Sequence, residues 1–126
     1  MITYNYNQQF SPPAPLVYVT VHSPDGKHHV EEFPAQIDPA ADRTVIPLRL
    51  AEALALIPLG ELPFGGLGGT IVRAKTYHVR IGIRGMPAIP LNAAAHHEEA
   101  LVLLGRDVLN HYRILLDGPN LKAEIG

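Results

Sequence analysis

Short alternating segments dominate the pattern of apolar and polar residues along the chain. Between residues 70 and 84, apolar positions alternate with polar ones such as His78 and Arg80. A period of two residues is typical of a strand with one buried face. Residues 16–22 (LVYVTVH) are rich in strand-forming residues and residues 100–104 (ALVLL) are a continuous apolar run, so both segments predict further strands. Twelve prolines and eleven glycines interrupt the chain at short intervals, which favours strands and turns over a helix bundle.

The other segments complete a mostly β prediction with one or two short helices. The candidate helices are the Ala- and Leu-rich residues 48–56 after Pro47 and the segment 105–112. Additional strands are predicted at residues 1–6, 28–33, 88–94, 113–117 and 121–125. We expect a single domain over residues 1–126, with an N-terminal arm at 1–14 and a C-terminal strand at 121–126.

Composition and charge narrow the class of protein. With 126 residues, 47% hydrophobic and 17% charged, the chain is long and apolar enough for a globular core. A net charge of −2 without charged blocks predicts no nucleic acid or membrane partner. The absence of cysteine excludes disulfides and fits a reducing compartment. Because the polar N-terminus lacks signal-peptide features and no apolar run has transmembrane length, we expect a cytoplasmic protein.

Residues 35–47 (AQIDPAADRTVIP) contain the first candidate for chemistry. Asp38 followed by Pro39 is a good helix start, with the aspartate as the capping residue. The same residues could form a strand, a loop and a second strand, with the carboxylate at the loop. The β-branched residues 44–46 continue a helix poorly, and Pro47 would interrupt it. Local sequence favours the loop only slightly, and both structures stay open at this point.

Other motifs argue against a metal site or a cofactor. The seven histidines include the adjacent pairs His28-His29 and His96-His97. Neighbouring side chains face apart on a strand and lack the spacing of a helical metal site. No GxSxG or HExxH motif is present, and the run GGLGG lacks the lysine of a phosphate-binding loop. We therefore expect no metal and no cofactor.

Three segments, in this order along the chain, resemble the retropepsin family of single-domain homodimeric aspartic proteases. Residues 37–45 (IDPAADRTV) are similar to the family's apolar run, aspartate turn, acid and β-branched strand. Residues 65–69 (GGLGG) match its flap, and residues 103–109 (LLGRDVL) match its closing Gly-Arg-Asp/Asn motif and helix. The resemblance covers residues 12–125. It implies a closed β-barrel or sandwich with a flap hairpin within residues 60–84.

The activity implied by the resemblance is that of an aspartic endopeptidase. Asp38 would be the catalytic residue, and each chain of a homodimer would supply one copy. Two carboxylates close together share one proton and can activate a water for attack on a peptide bond. The strands near residues 2–6 and 121–125 would interleave between the two chains. The partners implied are a second copy and an extended peptide or protein substrate.

Further site residues follow from the same resemblance. The active-site loop would comprise Pro39, Ala40, Ala41 and Asp42. The flap would comprise Gly65, Gly66, Leu67, Gly68 and Gly69, with the Leu67 amide binding a water that bridges to substrate. Substrate would contact Ala41, Arg43, Val45, Leu101 and Leu103. Asp42 and Arg106 would form an ion pair that braces the loop against the helix.

At two positions the chain departs from the family pattern. Pro39 stands where the family has Thr or Ser, and it cannot supply the hydroxyl that bonds across the dimer axis. Ala40 stands in place of glycine and adds a methyl group beside the carboxylates. We therefore expect an intact fold and two alternative functions. One is an endopeptidase, and the other is a catalytically impaired homodimer, a pseudoenzyme, that binds peptides or proteins in the same cleft.

Overall fold

The computed structural model describes residues 1–65 and 69–126 of the chain. The chain is 50% strand and 8% helix, which confirms the mostly β prediction. Over the described residues the elements are β1 (Ile2–Asn5), β2 (Leu16–His22), β3 (His29–Ile37), β4 (Val45–Pro47), α1 (Leu48–Ala53), β5 (Gly60–Gly65), β6 (Ile71–Ile83), β7 (Ile89–His96), β8 (Val102–Leu104), α2 (Arg106–Leu109), β9 (Ile114–Asp117) and β10 (Lys122–Ile125).

Six of the strands close into a barrel. Their order is β2-β3-β8-β4-β7-β6, and β6 returns to pair with β2. The 13-residue β6 is long enough to pair with three neighbours: β5 over residues 71–76, β7 over 76–81 and β2 over 80–83. Each of these six strands therefore has a neighbouring strand on both sides. The strand β5 is not part of the closed ring and pairs with residues 71–76 of β6.

The alternating pattern of residues 70–84 buries one face of β6. The members of the inward-facing row are all at most 5% exposed: Tyr77, Val79, Ile81 and Ile83. His78 and Arg80 between them are exposed, as the period of two predicts. Each fully buried aliphatic side chain stabilises the fold by about 1.5–3 kcal/mol. The barrel core thus follows directly from the local pattern.

Asp38 does not cap a helix. It follows β3, and a loop carries the chain to β4, whose Val45 and Ile46 pair with Ala94 and Ala95 of β7. The β-branched residues find strand partners on both sides of β4, which outweighs the helix-start signal of Asp38-Pro39. The first helix, α1, begins only after Pro47. The strand–loop–strand interpretation is therefore the correct one.

A second sheet is formed by the two ends of the chain, in the order β1-β10-β9. β1 pairs antiparallel with β10 from Ile2↔Ile125 to Asn5↔Lys122, and β10 pairs with β9 from Ile125↔Ile114 to Lys122↔Asp117. The terminal strands predicted from the sequence are thus present, and within one chain they pair with each other. Interleaving with a second chain stays a prediction.

Several elements differ in length from their predictions. Residues 60–65, which lie within the expected flap hairpin, form β5 because β6 supplies a continuous pairing partner from Gly60↔Thr76 to Gly65↔Ile71. β3 extends beyond residue 33 to Ile37 because β2 pairs with it up to Gln36. The helices are shorter than predicted, at six and four residues. In the described part of the chain, no helix has the length and apolarity to cross a membrane.

Candidate active site

Asp38 lies where β3 leaves the barrel, beside the end of β8. Its N–H donates to the carbonyl oxygen of Leu104 at 3.1 Å, which extends the parallel pairing of Ile37 with Leu104. The N–H of Ala40 donates to the Asp38 carboxylate at 3.2 Å, and the N–H of Ala41 donates to the Asp38 carbonyl at 3.1 Å. The half-buried carboxylate is therefore oriented by its own tight turn.

Arg106, the first residue of α2, holds this turn from the other side. Its guanidinium Nη1 donates to the carbonyl oxygens of Pro39 and Ala40 at 2.8 and 3.0 Å. Its backbone N–H donates to the Ala41 carbonyl at 2.9 Å. The carbonyl oxygens of three successive turn residues thus all accept hydrogen bonds from Arg106. Hydrogen bonds from a charged donor are stronger than neutral ones, so Arg106 restrains the loop.

The partner of Arg106 differs from the prediction. The predicted ion pair with Asp42 is not formed among the described residues, where Asp42 is exposed to solvent. The tight turn directs the Pro39 and Ala40 carbonyls toward Arg106 instead. Main-chain acceptors therefore replace the carboxylate in the brace.

Ala40 fits the loop without backbone strain. Within the loop 38–42, all of it described, no residue has a positive φ. A residue with a Cβ is therefore compatible with the turn, and the glycine of the family pattern is not required by φ. Pro39 and Ala40 are both exposed in the single chain. Any effect of their side chains on chemistry would then come from what a second chain or a substrate places beside them.

A second brace, between Thr44 and Asp107, was missed by sequence reasoning. The Asp107 carboxylate accepts hydrogen bonds from the Thr44 N–H at 3.0 and 3.1 Å and from the Thr44 hydroxyl at 2.6 Å. The same hydroxyl accepts from the N–H of Gly105 at 3.0 Å. Thr44 is 0% exposed, so its polar groups depend on these partners. The only signal in the sequence was the acid that directly follows Gly-Arg.

Gly105 is required by a close approach of two backbones. A Cβ at this position would lie 2.5 Å from the carbonyl carbon of Arg43 and 2.8 Å from its oxygen. Real side chains do not tolerate such distances from backbone atoms. The glycine therefore lets the end of the Asp38 loop pack directly against the start of α2.

The fold of this chain has counterparts among solved structures. EIAV protease complexed with the inhibitor HBY-793 is similar with a TM-score of 0.60 and 21% identity, over 86% of this chain and 93% of that one. The chain has the retropepsin-like fold. It also superposes, with a TM-score of 0.55 and 18% identity, on a foamy viral protease-reverse transcriptase in complex with double-stranded DNA.

The similarity to the foamy viral protein involves only a small part of that larger chain. The match covers 79% of this chain and 16% of the foamy viral chain. The same viral protein in complex with an RNA/DNA hybrid matches with a TM-score of 0.56 and 17% identity, over 79% of this chain and 12% of that one. By sequence, no protein-family model and no curated protein matches the chain.

The predicted substrate-contact residues occupy different positions on the retropepsin-like fold. Val45 and Leu103 are cross-strand partners of β4 and β8, and Leu103 is half-buried. Leu101, also half-buried, directly precedes β8. The guanidinium of Arg43 donates to the carbonyl of Asn92 on β7 at 3.2 Å. Their contact with a peptide stays a prediction, as does that of the half-buried Ala41.

The hairpin expected as the flap of the retropepsin-like fold consists of β5 and β6. Gly65 is the last residue of β5, and Gly69 has a φ of +75°, a conformation that favours glycine. The remaining predicted flap residues, Gly66, Leu67 and Gly68, lie outside the described residues. The hydrogen bond expected from the Leu67 amide therefore stays a prediction.

Two pairs of histidine rings lie close together on the surface of the fold. His22 and His29 are cross-strand neighbours with ring centroids 5.7 Å apart, and the rings of His96 and His97 stack at 4.7 Å. Across residues 1–65 and 69–126, no group of three or more His, Cys, Asp or Glu side chains is placed to bind a metal ion.

Proposed function

We propose that the chain is an aspartic endopeptidase of the homodimeric retropepsin type, with residues 1–126 acting as one retropepsin-like domain. A water activated by two Asp38 carboxylates, one from each subunit, would hydrolyse a peptide bond. The observation that carries the proposal is the position of Asp38 in this fold. It follows β3 directly and is bound through its N–H to Leu104 and through its carboxylate to Ala40.

Two copies are needed because one chain supplies one such aspartate. Carboxylates about 3 Å apart cannot both ionise easily, so a pair retains one shared proton. The ionised carboxylate accepts a proton from water, whose oxygen attacks the carbonyl carbon while the protonated carboxyl donates to the carbonyl oxygen. The amide nitrogen is then protonated, and the carbon–nitrogen bond breaks to give an acid and an amine. Proton transfers of this kind contribute about 10² to 10⁴ in rate.

The braces of the loop suit this chemistry. Arg106 binds the carbonyls of Pro39 and Ala40, and Asp107 binds Thr44 at the other end of the loop. A displacement of about 1 Å in a catalytic group can cost roughly a hundredfold in rate. A loop held at both ends by charged residues would therefore keep Asp38 in a fixed position relative to Asp38 of the second subunit.

Substrate would lie extended between the loop and the β5–β6 hairpin, with its backbone paired like an added strand. Apolar walls would come from Val45, Leu101 and Leu103. The glycines from Gly65 to Gly69 would let the hairpin tip approach the peptide backbone. An extended, largely apolar segment of a peptide or protein is the substrate class that this surface favours.

A second function is favoured by one observation. Pro39 and Ala40 occupy the exposed part of the turn beside Asp38 and provide no hydroxyl there. A chain that lacks the cross-dimer hydrogen bond loses about 1 kcal/mol for each bond not made. The alternative is a homodimer that binds peptides or proteins in the cleft without hydrolysing them.

Cleavage of a mixed peptide library between about pH 3 and pH 7, with mass spectrometric detection, tests the proposal. We expect cleavage that a pepstatin-type inhibitor blocks and that falls at least about a thousandfold in Asp38→Asn. Glu52→Gln, an exposed carboxylate on α1, is the matched control and should cleave like the unaltered chain. A folded chain that cleaves nothing at any pH would contradict the endopeptidase.

Two further arms separate the candidate functions. If library peptides bind without turnover, the binding function replaces the endopeptidase. In that case Pro39→Thr combined with Ala40→Gly should gain cleavage, because the pair reinstates the hydroxyl and glycine of the family pattern. If the double variant also cleaves nothing while peptides remain bound, the missing hydroxyl does not account for the lack of turnover.

A further inference from the structure

Two cavities on the outside of the barrel share one wall, which is formed by residues 90–92 of β7. The first cavity, of about 280 Å³, also borders on Arg43, which directly follows the Asp38 loop. The second cavity, of about 350 Å³, also borders on Arg80 of β6. The two cavities therefore adjoin at β7 and together form a groove that extends from the candidate active site to β6.

The second cavity lies on the outward face of the barrel. Arg80 of β6 is in register with Pro90 of β7, and His78 is in register with Asn92. Residues directly opposite each other share one face of a sheet, and all four of these residues are exposed. Val79, between the two β6 residues, is buried in the core. The Arg80 guanidinium is thus presented to solvent on the same face as a proline and a side-chain amide.

Arg80 carries a positive charge that is not used in an ion pair within the described part of the chain. Its guanidinium takes part in none of the ion pairs among residues 1–65 and 69–126. Three acids in the turn after β2 and in β3 have partners of their own: Asp25 with Ser23, Glu31 with His29 and Glu32 with Arg84. A guanidinium presents five N–H donors in a planar fork that matches a carboxylate.

The two ends of the groove differ in charge. In the first cavity, the acids Asp42 and Asp107 offset the charge of Arg43. The Arg43 guanidinium also donates to the carbonyl oxygen of Asn92 at 3.2 Å, which fixes it against the shared wall. The groove is therefore positive only at its Arg80 end, and that end is where a negatively charged group of a ligand would be attracted.

We propose that this groove binds a segment of the substrate that flanks the cleaved bond and carries an acidic side chain, a role that rests on the proposed function. The segment would leave the Asp38 loop beside Arg43 and continue across β7. Its glutamate or aspartate carboxylate would bind Arg80, because a carboxylate can accept two parallel hydrogen bonds from one guanidinium. The substrate class is then a peptide or protein with an acidic residue a few positions from the cleaved bond.

The length of the groove suits a short extended segment. Asn92 and Pro90 are separated by one residue on β7, which corresponds to about 7 Å along a strand. The adjacent strand β6, which carries Arg80, lies about 4.8 Å to the side. Because an extended chain covers about 3.3 Å per residue, about three residues of substrate would span the distance from Asn92 to Arg80.

The walls beside Arg80 include apolar side chains. Pro24, in the turn after β2, and Pro90 and Leu91 of β7 border the same cavity as Arg80. Apolar neighbours lower the local dielectric constant, which strengthens the attraction between a guanidinium and a carboxylate. A lysine at the same position of a substrate would meet a like charge, so the groove selects acidic over basic segments.

Peptide binding tests the groove separately from cleavage. The probe is the acetylated pentapeptide amide Ala-Glu-Ala-Glu-Ala, and its counterpart carries glutamine in place of both glutamates. The protein is the ¹⁵N-labelled Asp38→Asn variant, which lacks the carboxylate proposed to cut the probe. We expect the glutamate probe to shift the amide signals of His78, Arg80 and Leu91 and to bind about fivefold more tightly than its counterpart. Equal binding of the two probes would overturn the proposal.

Substitutions of Arg80 identify the group that selects the acid. Arg80→Gln removes the charge from an exposed side chain and should make the two probes bind equally. Arg84→Gln is the matched control, because Arg84 is also exposed, lies directly after β6 and is paired with Glu32 at 2.7 Å. It should keep the preference for glutamate. Arg80→Glu should instead favour a probe with lysine at both positions. A preference for glutamate that persists in Arg80→Gln would contradict the proposed contact.

Cleavage kinetics test whether the groove serves the substrate. In a peptide that the chain cleaves, glutamate is placed at each position on either side of the cleaved bond in turn, with glutamine as the reference. We expect a position at which glutamate lowers KM about fivefold with kcat unchanged, since a contact remote from the reacting atoms contributes uniform binding. Arg80→Gln should abolish this advantage and Arg84→Gln should retain it. If no position shows an advantage that depends on Arg80, the proposal is wrong.

The two measurements distinguish failure of the groove from failure of the endopeptidase. If the glutamate probe binds at Arg80 and the unaltered chain cleaves nothing, the groove stands as a site for acidic peptides and the endopeptidase fails. If peptides are cleaved without any preference that depends on Arg80, the endopeptidase stands and the proposed groove contact is overturned.

Discussion

The barrel and the terminal sheet differ in how they use their strand edges. Each of the six barrel strands has a neighbour on both sides, whereas the three-stranded terminal sheet ends at β9 with two leucines exposed. The closed barrel and the helix α2 hold the Asp38 loop with groups from the same chain. Among the described residues, the terminal sheet has an unpaired edge at β1 and another at β9. The position of the aspartate is thus an internal property of the fold, whereas the proposed pairing of two such aspartates requires a second chain.

Truncating one apolar residue in each region should give the largest contrast. Ile46 of β4 is 0% exposed, so Ile46→Ala is expected to lower the free energy of unfolding by about 3–4 kcal/mol through lost burial and a cavity. Leu116→Ala at the β9 edge should cost below about 1 kcal/mol in the monomer, because the side chain is already 42% exposed. Urea unfolding at a concentration where the chain is monomeric measures both. Equal losses would contradict the contrast.

The next largest effect is expected at Gly105, where the loop packs against α2. Gly105→Ala places a methyl group 2.5 Å from the Arg43 backbone and should destabilise the chain by about 3 kcal/mol. Gly118→Ala, in the turn between β9 and β10, meets nothing within 4 Å and should change stability by less than about 0.5 kcal/mol. Chemical unfolding of both variants measures the difference. A tolerated Gly105→Ala would show that the close backbone approach is not maintained.

Removal of the half-buried carboxylate acceptor at Asp107 is expected to have an intermediate effect. Asp107→Ala leaves the N–H and hydroxyl of the fully buried Thr44 without their acceptor, at a cost of about 2 kcal/mol. Asp107→Asn keeps one acceptor oxygen and should lose roughly half as much. Asp42→Ala, an exposed acid of the same loop, serves as the control and should be nearly neutral. If Asp107→Ala and Asp42→Ala lower the free energy of unfolding equally, the hydrogen bonds between Asp107 and Thr44 contribute little to stability.

The smallest effect concerns Tyr112, which lies between α2 and β9 and so joins the two regions. Its hydroxyl is buried and has no hydrogen-bond partner among the described residues, and burial raises the pKa of Tyr112 above its usual 10.0. Tyr112→Phe removes an unsatisfied polar group and should change stability at neutral pH by less than about 0.5 kcal/mol.

The raised pKa of Tyr112 also predicts the direction of a pH effect. Above about pH 10 the unfolded chain releases this proton before the folded chain does. The stability contribution is therefore complete below the unfolded pKa and is lost as the pH rises through the folded one. Urea unfolding between about pH 9 and pH 11 should show a flatter dependence for Tyr112→Phe than for the unaltered chain. A steeper dependence in the variant would contradict a buried hydroxyl.

What could be predicted from the sequence is what depends on local pattern. The period of two in β6 and the β-branched residues before Pro47 each act through near neighbours, and both segments form strands in the structure. The order of the three segments around Asp38, the glycines and Gly-Arg-Asp was enough to predict the retropepsin-like fold. A carboxylate in a strand-end loop is likewise a local feature, although the helix-start signal of Asp38-Pro39 opposed it.

Tertiary structure decided which distant groups meet. Thr44 and Asp107 are separated by 63 positions, and Arg106 lies 66 and 67 positions from the carbonyls that it binds. These contacts exist because the barrel places the end of β8 beside the end of β3, and no local preference encodes them. The open edge of β9 has the same origin. In the described part of the chain, β9 has a strand neighbour only on its β10 side, because β10 pairs with β1 on its other side. That arrangement follows from the pairing of the whole sheet and not from residues 114–117 themselves.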